Sequence, residues 1–290
     1  MKKLPVLLMT ALLALLPLLT ASAELKQSAI LDAAFECVEE SNAFLARYQQ
    51  LTGSTTAARL RLGVPYFYGG DDVKYPFANE PEYTARKAWQ SSPSGFYQSG
   101  KSYLAGFDCT GFIKYVYSRA GNAFKNKISS LSQSSFHKKG YHVWCSDLNP
   151  MPESWTELAV SLQPGDLWIV RHPGLHVMMF IGTLRDFGYT EEDLPELGDY
   201  LDYPLIIHCG AHPDYGDRLQ TCISESDRNW IRLCKTTNGG VAVSILGVPL
   251  EEAPNTTVAQ GNELHWFNVE GTSMTTWDDS GVESYVWFRK

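Results

Sequence analysis

The chain is poor in charge and has no excess of base: charged residues make up 19 % of it, and 24 Lys and Arg stand against 32 Asp and Glu. A surface so short of cations does not suit nucleic acid, whose phosphates are held by clustered Lys and Arg. The small basic group His137-Lys138-Lys139 reads as a solvated turn. Internal repeats and low-complexity tracts are lacking, which excludes a repeat array and a disordered tail. Cysteine is scarce at 6 residues, and none follows the apolar run at the start of the chain, so a lipid-anchored precursor is not indicated.

That apolar run, from Val6 to Leu19, follows Lys2 and Lys3 and leads into Ala21-Ser22-Ala23. A basic start, a short hydrophobic stretch and small residues at a cleavage position describe an export signal over 1–23, with no stable membrane span once it is removed. Loss of Lys2 and Lys3 makes the remaining chain more acidic still. With 44 % hydrophobic residues, that chain can bury the core of one large domain. Export permits disulfides among Cys37, Cys109, Cys145, Cys209, Cys222 and Cys234, and several pairings are compatible with their spacing.

Apolar residues recur at helical spacing from Leu25 to about Leu51, and Gly53 offers a stop, so 24–53 is expected to be a helical segment. A short helical piece is expected over Thr55 to Leu62, ahead of a turn at Gly63-Val-Pro-Tyr-Phe-Tyr-Gly-Gly70. Strands are expected at Leu167–Arg171, His176–Gly182, Leu205–His208, Val241–Leu246 and Tyr285–Arg289. Helices before strands argue for an α+β class with a mainly antiparallel sheet. The stretch 71–105, polar, aromatic and rich in Ser, Gly and Pro, reads as a long surface insertion.

Chemistry concentrates at Gly106-Phe-Asp-Cys-Thr-Gly111, followed by the helical pairs Phe112/Val116 and Ile113/Tyr117. The spacing puts Cys109 at a helix start, where the dipole and the unpaired first-turn N–H groups favour thiolate, the nucleophilic form. On its own, a cysteine there is more often a small buried side chain. A nucleophile needs a base and a group to orient that base. His176 opens one apolar strand and His208 closes another, so paired strands can stand both imidazoles on one sheet face.

In these blocks the chain resembles the NlpC/P60 cysteine peptidases of bacterial cell walls. The similarity rests on Gly63-Val-Pro-Tyr-Phe-Tyr-Gly-Gly70, Gly106-Phe-Asp-Cys-Thr-Gly-Phe112, Leu162-Gln-Pro-Gly-Asp-Leu167, His176-Val-Met-Met-Phe-Ile-Gly182 and Ile206-Ile-His208, in the family's order. It implies a papain-like fold with the nucleophile helix packed on the sheet, in a domain over 54–290 with further insertions near 122–160, 183–203 and 251–284. It also implies Cys109 as nucleophile, His176 as general base and His208 as its orienting partner. Tyr66 and Asp108 are implied substrate-binding residues, although Asp108 equally suits a helix N-cap. The implied substrate is peptidoglycan or its muropeptides, cut at an amide bond, most often between γ-linked D-glutamate and a diamino acid. No metal or organic cofactor is implied.

Two other readings fit the same residues. An exported binding module, or an amidase or esterase on another substrate, would keep the fold and use the insertions differently. The pairs His172/His176 and His208/His212, with Cys209 beside them, have the residue types of a zinc site, but Pro173, Gly174 and Gly210 oppose the helices that such four-residue spacings need.

Overall fold

In a computed structural model of the chain, the residues described are 25–67, 85–87, 90–91, 98–104, 106–124, 142–144, 154–170, 176–211, 231–232, 239–247, 264–267, 274–277 and 285–289. The leader at 1–23, the group His137-Lys138-Lys139, His172, His212, Cys145, Cys222 and Cys234 lie outside them.

Helices begin where the sequence supplies a cap. α1 (Ala29–Phe35) starts behind Ser28, whose Oγ accepts the Leu31 N–H at 3.1 Å. α2 (Ala43–Thr52) starts behind Asn42, whose Oδ1 accepts from Phe44 and Leu45, and it ends at Gly53 in the left-handed conformation. The periodicity of Leu25–Leu51 is therefore two helices joined by a turn. Leu31, Phe35, Phe44, Leu45 and Tyr48 enter the same hydrophobic core as the rest of the domain.

The helix expected over Thr55–Leu62 does not form. Thr56 Oγ1 donates to the Asp32 carbonyl at 3.0 Å, the Arg59 N–H to the Glu36 carbonyl at 2.9 Å and the Val64 N–H to the Cys37 carbonyl at 2.8 Å. Carbonyls in and just after α1 take bonds that a helix would have kept to itself, and the β-branched pair Thr55-Thr56 makes that helix less costly to abandon. Glu36 reinforces the join, meeting Arg59 Nε at 2.9 Å, Arg119 Nη2 at 3.1 Å and the Tyr115 hydroxyl at 3.0 Å. Burial pushes the Glu36 carboxyl up, but the bonds from Arg119 and Arg59 and the Arg59 charge outweigh it and hold the group below its usual range.

α3 (Cys109–Arg119) is buried on nearly every side through Phe112, Ile113, Tyr115, Val116 and Tyr117. α4 (Trp155–Ser161) starts behind Ser154, whose Oγ accepts the Glu157 N–H at 3.1 Å. Among the described residues the strands are β1 (Ala85–Lys87), β2 (Ser102–Leu104), β3 (His142–Trp144), β4 (Leu167–Val170), β5 (His176–Gly182), β6 (Leu205–Ala211), β7 (Ile231–Arg232), β8 (Gly239–Gly247), β9 (Leu264–Phe267), β10 (Met274–Trp277) and β11 (Tyr285–Arg289). β1, β2 and β7 form a small sheet. The other eight form the main one, in the order β10-β9-β8-β6-β5-β4-β11-β3, with every neighbouring pair antiparallel. The protein is α+β.

In β4, β5, β6 and β8 the main sheet is covered on both faces, and residues alternate between them. Val177, Met179 and Ile181 of β5, Leu205, Ile207 and Cys209 of β6, and Val241, Val243 and Ile245 of β8 share a core with α1 and α3. On the other face Trp168 stacks on Trp155 of α4 with ring centroids 5.7 Å apart, and Met178, Phe180 and Ile206 are buried as well. Full burial of each large apolar side chain stabilises the fold by about 1.5–3 kcal/mol.

All four of the expected insertions hold regular structure, the one at 183–203 as a 3-10 helix over Pro195–Tyr200. β1 and β2 lie within 71–105, β3 and α4 at 142–161, and β9 and β10 within 251–284. Short segments such as Leu264-His-Trp-Phe carry no period-two signal, and β9 exists because Ile245, Leu246 and Gly247 of β8 pair with it. Between 183 and 203, Leu184, Phe187, Leu197 and Leu201 are buried, and the Phe187 ring meets Phe44 at 5.2 Å.

A backbone clasp fixes the start of α3. Phe107 N–H donates to the Pro65 carbonyl at 3.0 Å, and Phe67 N–H returns a bond to the Phe107 carbonyl at 2.9 Å. Tyr66 N–H donates to Gly239 at 2.7 Å and Val241 N–H to Val64 at 3.1 Å, so residues 64–67 lie between the segment leading into α3 and β8. Gly106 makes the approach possible, since a Cβ there would sit 1.8 Å from the Pro65 carbonyl oxygen. Gly106→Ala is expected to cost about 3 kcal/mol or more, read as a fall in the urea midpoint or failure to accumulate folded protein. Gly121→Ala, at φ 75° in open space, is expected to cost only about 1 kcal/mol; equal losses would contradict the clasp.

Candidate active site

Cys109 is the first residue of α3, as its spacing predicts. Asp108 is the N-cap: its Oδ1 accepts the Gly111 N–H at 2.7 Å and the Thr110 hydroxyl at 2.8 Å. That carboxylate oxygen is thus occupied in holding the first turn, and Thr110 adds a bond of its own to the cap. The Cys109 side chain is 7 % exposed. Its sulfur is approached by the backbone N–H of Val177, the residue after His176, and by the N–H groups of Thr110 and Cys109. The start of α3 and the start of β5 therefore meet at the thiol.

The helix start does not make this thiol acidic in the resting protein. Burial, first, and the Asp108 charge, second, push it up to about 12, against the opposing pull of the three N–H groups. The expected thiolate preference is overridden because desolvation of a sulfur anion outweighs a few backbone dipoles.

Strand pairing brings the two histidines together. Met179 pairs with Ile207 across β5 and β6, which brings His208, one residue on from Ile207, beside His176, three residues back from Met179. His176 Nε2 and His208 Nδ1 are 3.1 Å apart, with the ring planes at 90°. Alternation sets both on the face turned away from the α3 core, at the end of the sheet where Cys109 abuts Val177. Burial drops the His176 pKa to about 4, so its ring is neutral at pH 7. His208 is 1 % exposed, and its Nε2 lies 3.2 Å from the Ser244 hydroxyl of β8.

Room for this arrangement comes from Gly210, where a Cβ would meet His208 Nδ1 at 3.0 Å and His176 Cε1 at 3.3 Å. Tyr66 is half-buried in the clasp, packed against the core. Cys209 donates its S–H to the Phe107 carbonyl at 3.2 Å and ties β6 to the segment leading into α3. Burial, then the charges of Asp108 and Cys109, push its thiol well above the usual range. Cys37, Cys109 and Cys209 are all unbridged and buried. Among the described residues no three His, Cys, Asp or Glu side chains converge as a metal site.

Sequence reasoning missed Ser244, Gly210 and the bond made by Cys209. Ser244 had a signal, as the polar residue of the apolar run Val241-Ala-Val-Ser-Ile-Leu246. Gly210 and Cys209 are explained only by what stands opposite them. A cavity of about 510 Å³ lies elsewhere, lined among others by Ala159, Val160, Phe180, Gly182, Arg185 and Asp186. It sits at the Gly182 end of β5, about 20 Å along the strand from His176, so it is separate from the histidine pair.

Compared with protein-family models, with curated proteins and with solved structures, the chain matches none. Among the described residues no helix is long and apolar enough to cross a membrane.

The lowered His176 pKa makes stability pH-dependent. Between the unfolded value near 6.5 and the folded value of about 4, the unfolded chain binds the extra proton, so this contribution is complete above pH 6.5 and is lost as pH falls towards 4. Urea unfolding at pH 7 and pH 4.5 should show wild type losing on the order of 2 kcal/mol more than His176→Gln. Equal losses in the two proteins would contradict a buried neutral imidazole.

Proposed function

We propose that the protein is an exported cysteine peptidase of the NlpC/P60 type, with a papain-like fold, that hydrolyses amide bonds in the stem peptides of peptidoglycan. The observation that carries the reading is the meeting of Cys109, at the start of α3, with β5 one residue from His176, whose Nε2 lies 3.1 Å from His208 Nδ1. A nucleophile, a base and an orienting group on three different elements form an arrangement for acyl transfer. The five sequence blocks of the family, in order, point to the cell-wall substrate and to the γ-D-glutamyl-diamino acid bond.

The chemistry starts from the neutral pair. As the carbonyl carbon approaches, the Cys109 proton passes to His176 and the sulfur bonds to the carbonyl. The N–H of Cys109 itself is suited to receive the oxyanion. His176 as imidazolium then protonates the departing amine, leaving a thioester on Cys109. His176 next takes a proton from water, whose oxygen attacks the thioester and releases the acid with the thiol restored. His208 steadies the imidazolium through Nδ1. The neighbouring Tyr66 and the Asp108 carboxylate are the proposed contacts for the substrate's amine end.

The depth of Cys109 favours a second reading, an envelope-binding module that holds wall peptides without turnover. Mass spectrometry of defined muropeptides separates the two. Wild type is expected to cut between γ-linked D-glutamate and the diamino acid, and Cys109→Ala to lose at least about a thousand-fold in rate. Equal product from both proteins would overturn the thiol mechanism, and retention of muropeptides with no product would establish the binding module.

A further inference from the structure

The hydrogen-bonded line does not stop at His208. Ser244 Oγ lies 3.2 Å from His208 Nε2, in β8, the strand next to β6, and both side chains are buried, Ser244 at 6 % exposure. A neutral imidazole carries one N–H and one lone pair, so whichever role the hydroxyl takes towards His208 is passed on along the line. If Ser244 donates, His208 Nε2 carries the lone pair and Nδ1 the proton. His208 Nδ1–H then donates to His176 Nε2, and His176 is left with its proton on Nδ1 and no basic nitrogen on that side. If Ser244 accepts, His208 holds its proton on Nε2 and offers the Nδ1 lone pair to His176 Nε2–H. The lone pair of His176 is then on Nδ1.

We propose that Ser244 is a positioning residue that accepts from His208 Nε2–H and so sets the tautomers of both histidines, making His176 Nδ1 the basic nitrogen of the site. The inference rests on the reading of His176 as the general base. It deepens that reading by naming which nitrogen acts and what fixes it. The same polarity serves the charged stage, because His208 then turns a lone pair towards the imidazolium of His176. The opposite tautomer would turn an N–H towards an N–H. Geometry supports a fixed line over an adaptable one: Gly210 leaves the two rings just enough space, and β6 and β8 stay in unbroken register from Leu205/Ile245 to Ala211/Gly239. Ser244 touches neither substrate nor sulfur in this scheme and acts only through His208.

The test uses the full protein after removal of its leader, with heteronuclear NMR of the imidazole nitrogens as the first readout, because tautomers are visible whether or not a substrate is known. Wild type should show both His176 and His208 as Nε2–H tautomers. Ser244→Ala should shift His208 to a mixture containing Nδ1–H, while Ser244→Thr, which keeps the hydroxyl, should restore the wild-type pattern. The second readout is alkylation of Cys109 by iodoacetamide at pH 7, expected to slow by about ten-fold in Ser244→Ala and to recover in Ser244→Thr. If muropeptides are cleaved, the same change should appear in kcat and leave KM in place. His176 found as Nδ1–H in wild type would overturn the proposal. So would tautomers and alkylation unchanged in Ser244→Ala. Loss of muropeptide cleavage in every protein, with the tautomer pattern as expected, would instead count against the peptidoglycan reading.

Discussion

The segment that delivers Cys109 to the start of α3 is held by backbone, and the rest of the site depends on that hold. Residues 64–67 bond to Phe107 on one side and to Gly239 and Val241 on the other, while the Cys209 thiol takes the second lone pair of the Phe107 carbonyl. Each of these bonds is worth only about 1 kcal/mol net, but leaving one unmade in the interior costs more than making it gains. The segment therefore has one low-energy position, and Gly106 is the residue that permits it. Asp108 then caps α3 from that fixed start, and Cys109 inherits its place from the cap.

Burial makes the site accurate and also keeps it quiet. The same desolvation that lowers His176 raises Cys109, so both partners rest in their neutral forms. A neutral thiol and a neutral imidazole carry the same net protonation as a thiolate-imidazolium pair and need only one proton moved. Resting neutrality thus suits the proposed hydrolysis, in which charge separation is deferred until a carbonyl is present to receive the sulfur. The two-sided burial of the main sheet contributes to this, because the histidines stand on a face closed by Trp155 and Trp168 at one end and not on an open surface.

Much of this was legible in the residues. The helix at Cys109 followed from paired apolar positions behind an Asp cap, and the strands at His176 and His208 from unbroken apolar runs; both rest on local rules that tertiary packing rarely overturns. The α+β class followed from their order. What failed was non-local. Thr55–Leu62 is drawn out of helix by carbonyls of α1 that sequence spacing cannot place opposite it. β9 and β10 are too short to show a period; β9 forms because the longer β8 pairs with it, and β10 because β9 then offers it an edge. The bond made by Cys209 was not legible either, because its partner is a carbonyl far away in the chain. The thiolate preference at Cys109 was outweighed for a similar reason: the helix dipole is visible in sequence, and the depth of burial is not.

The central claim is that Cys109 forms a covalent acyl intermediate with the aid of His176. Intact-protein mass spectrometry of the purified chain, quenched at short times with a muropeptide, tests it most directly. The account predicts a transient mass increase, equal to the acyl fragment and mapping to the peptide that contains Cys109, in wild type and none in Cys109→Ala or His176→Ala. Hydrolysis without any adduct at Cys109, or the same adduct in Cys109→Ala, would contradict it.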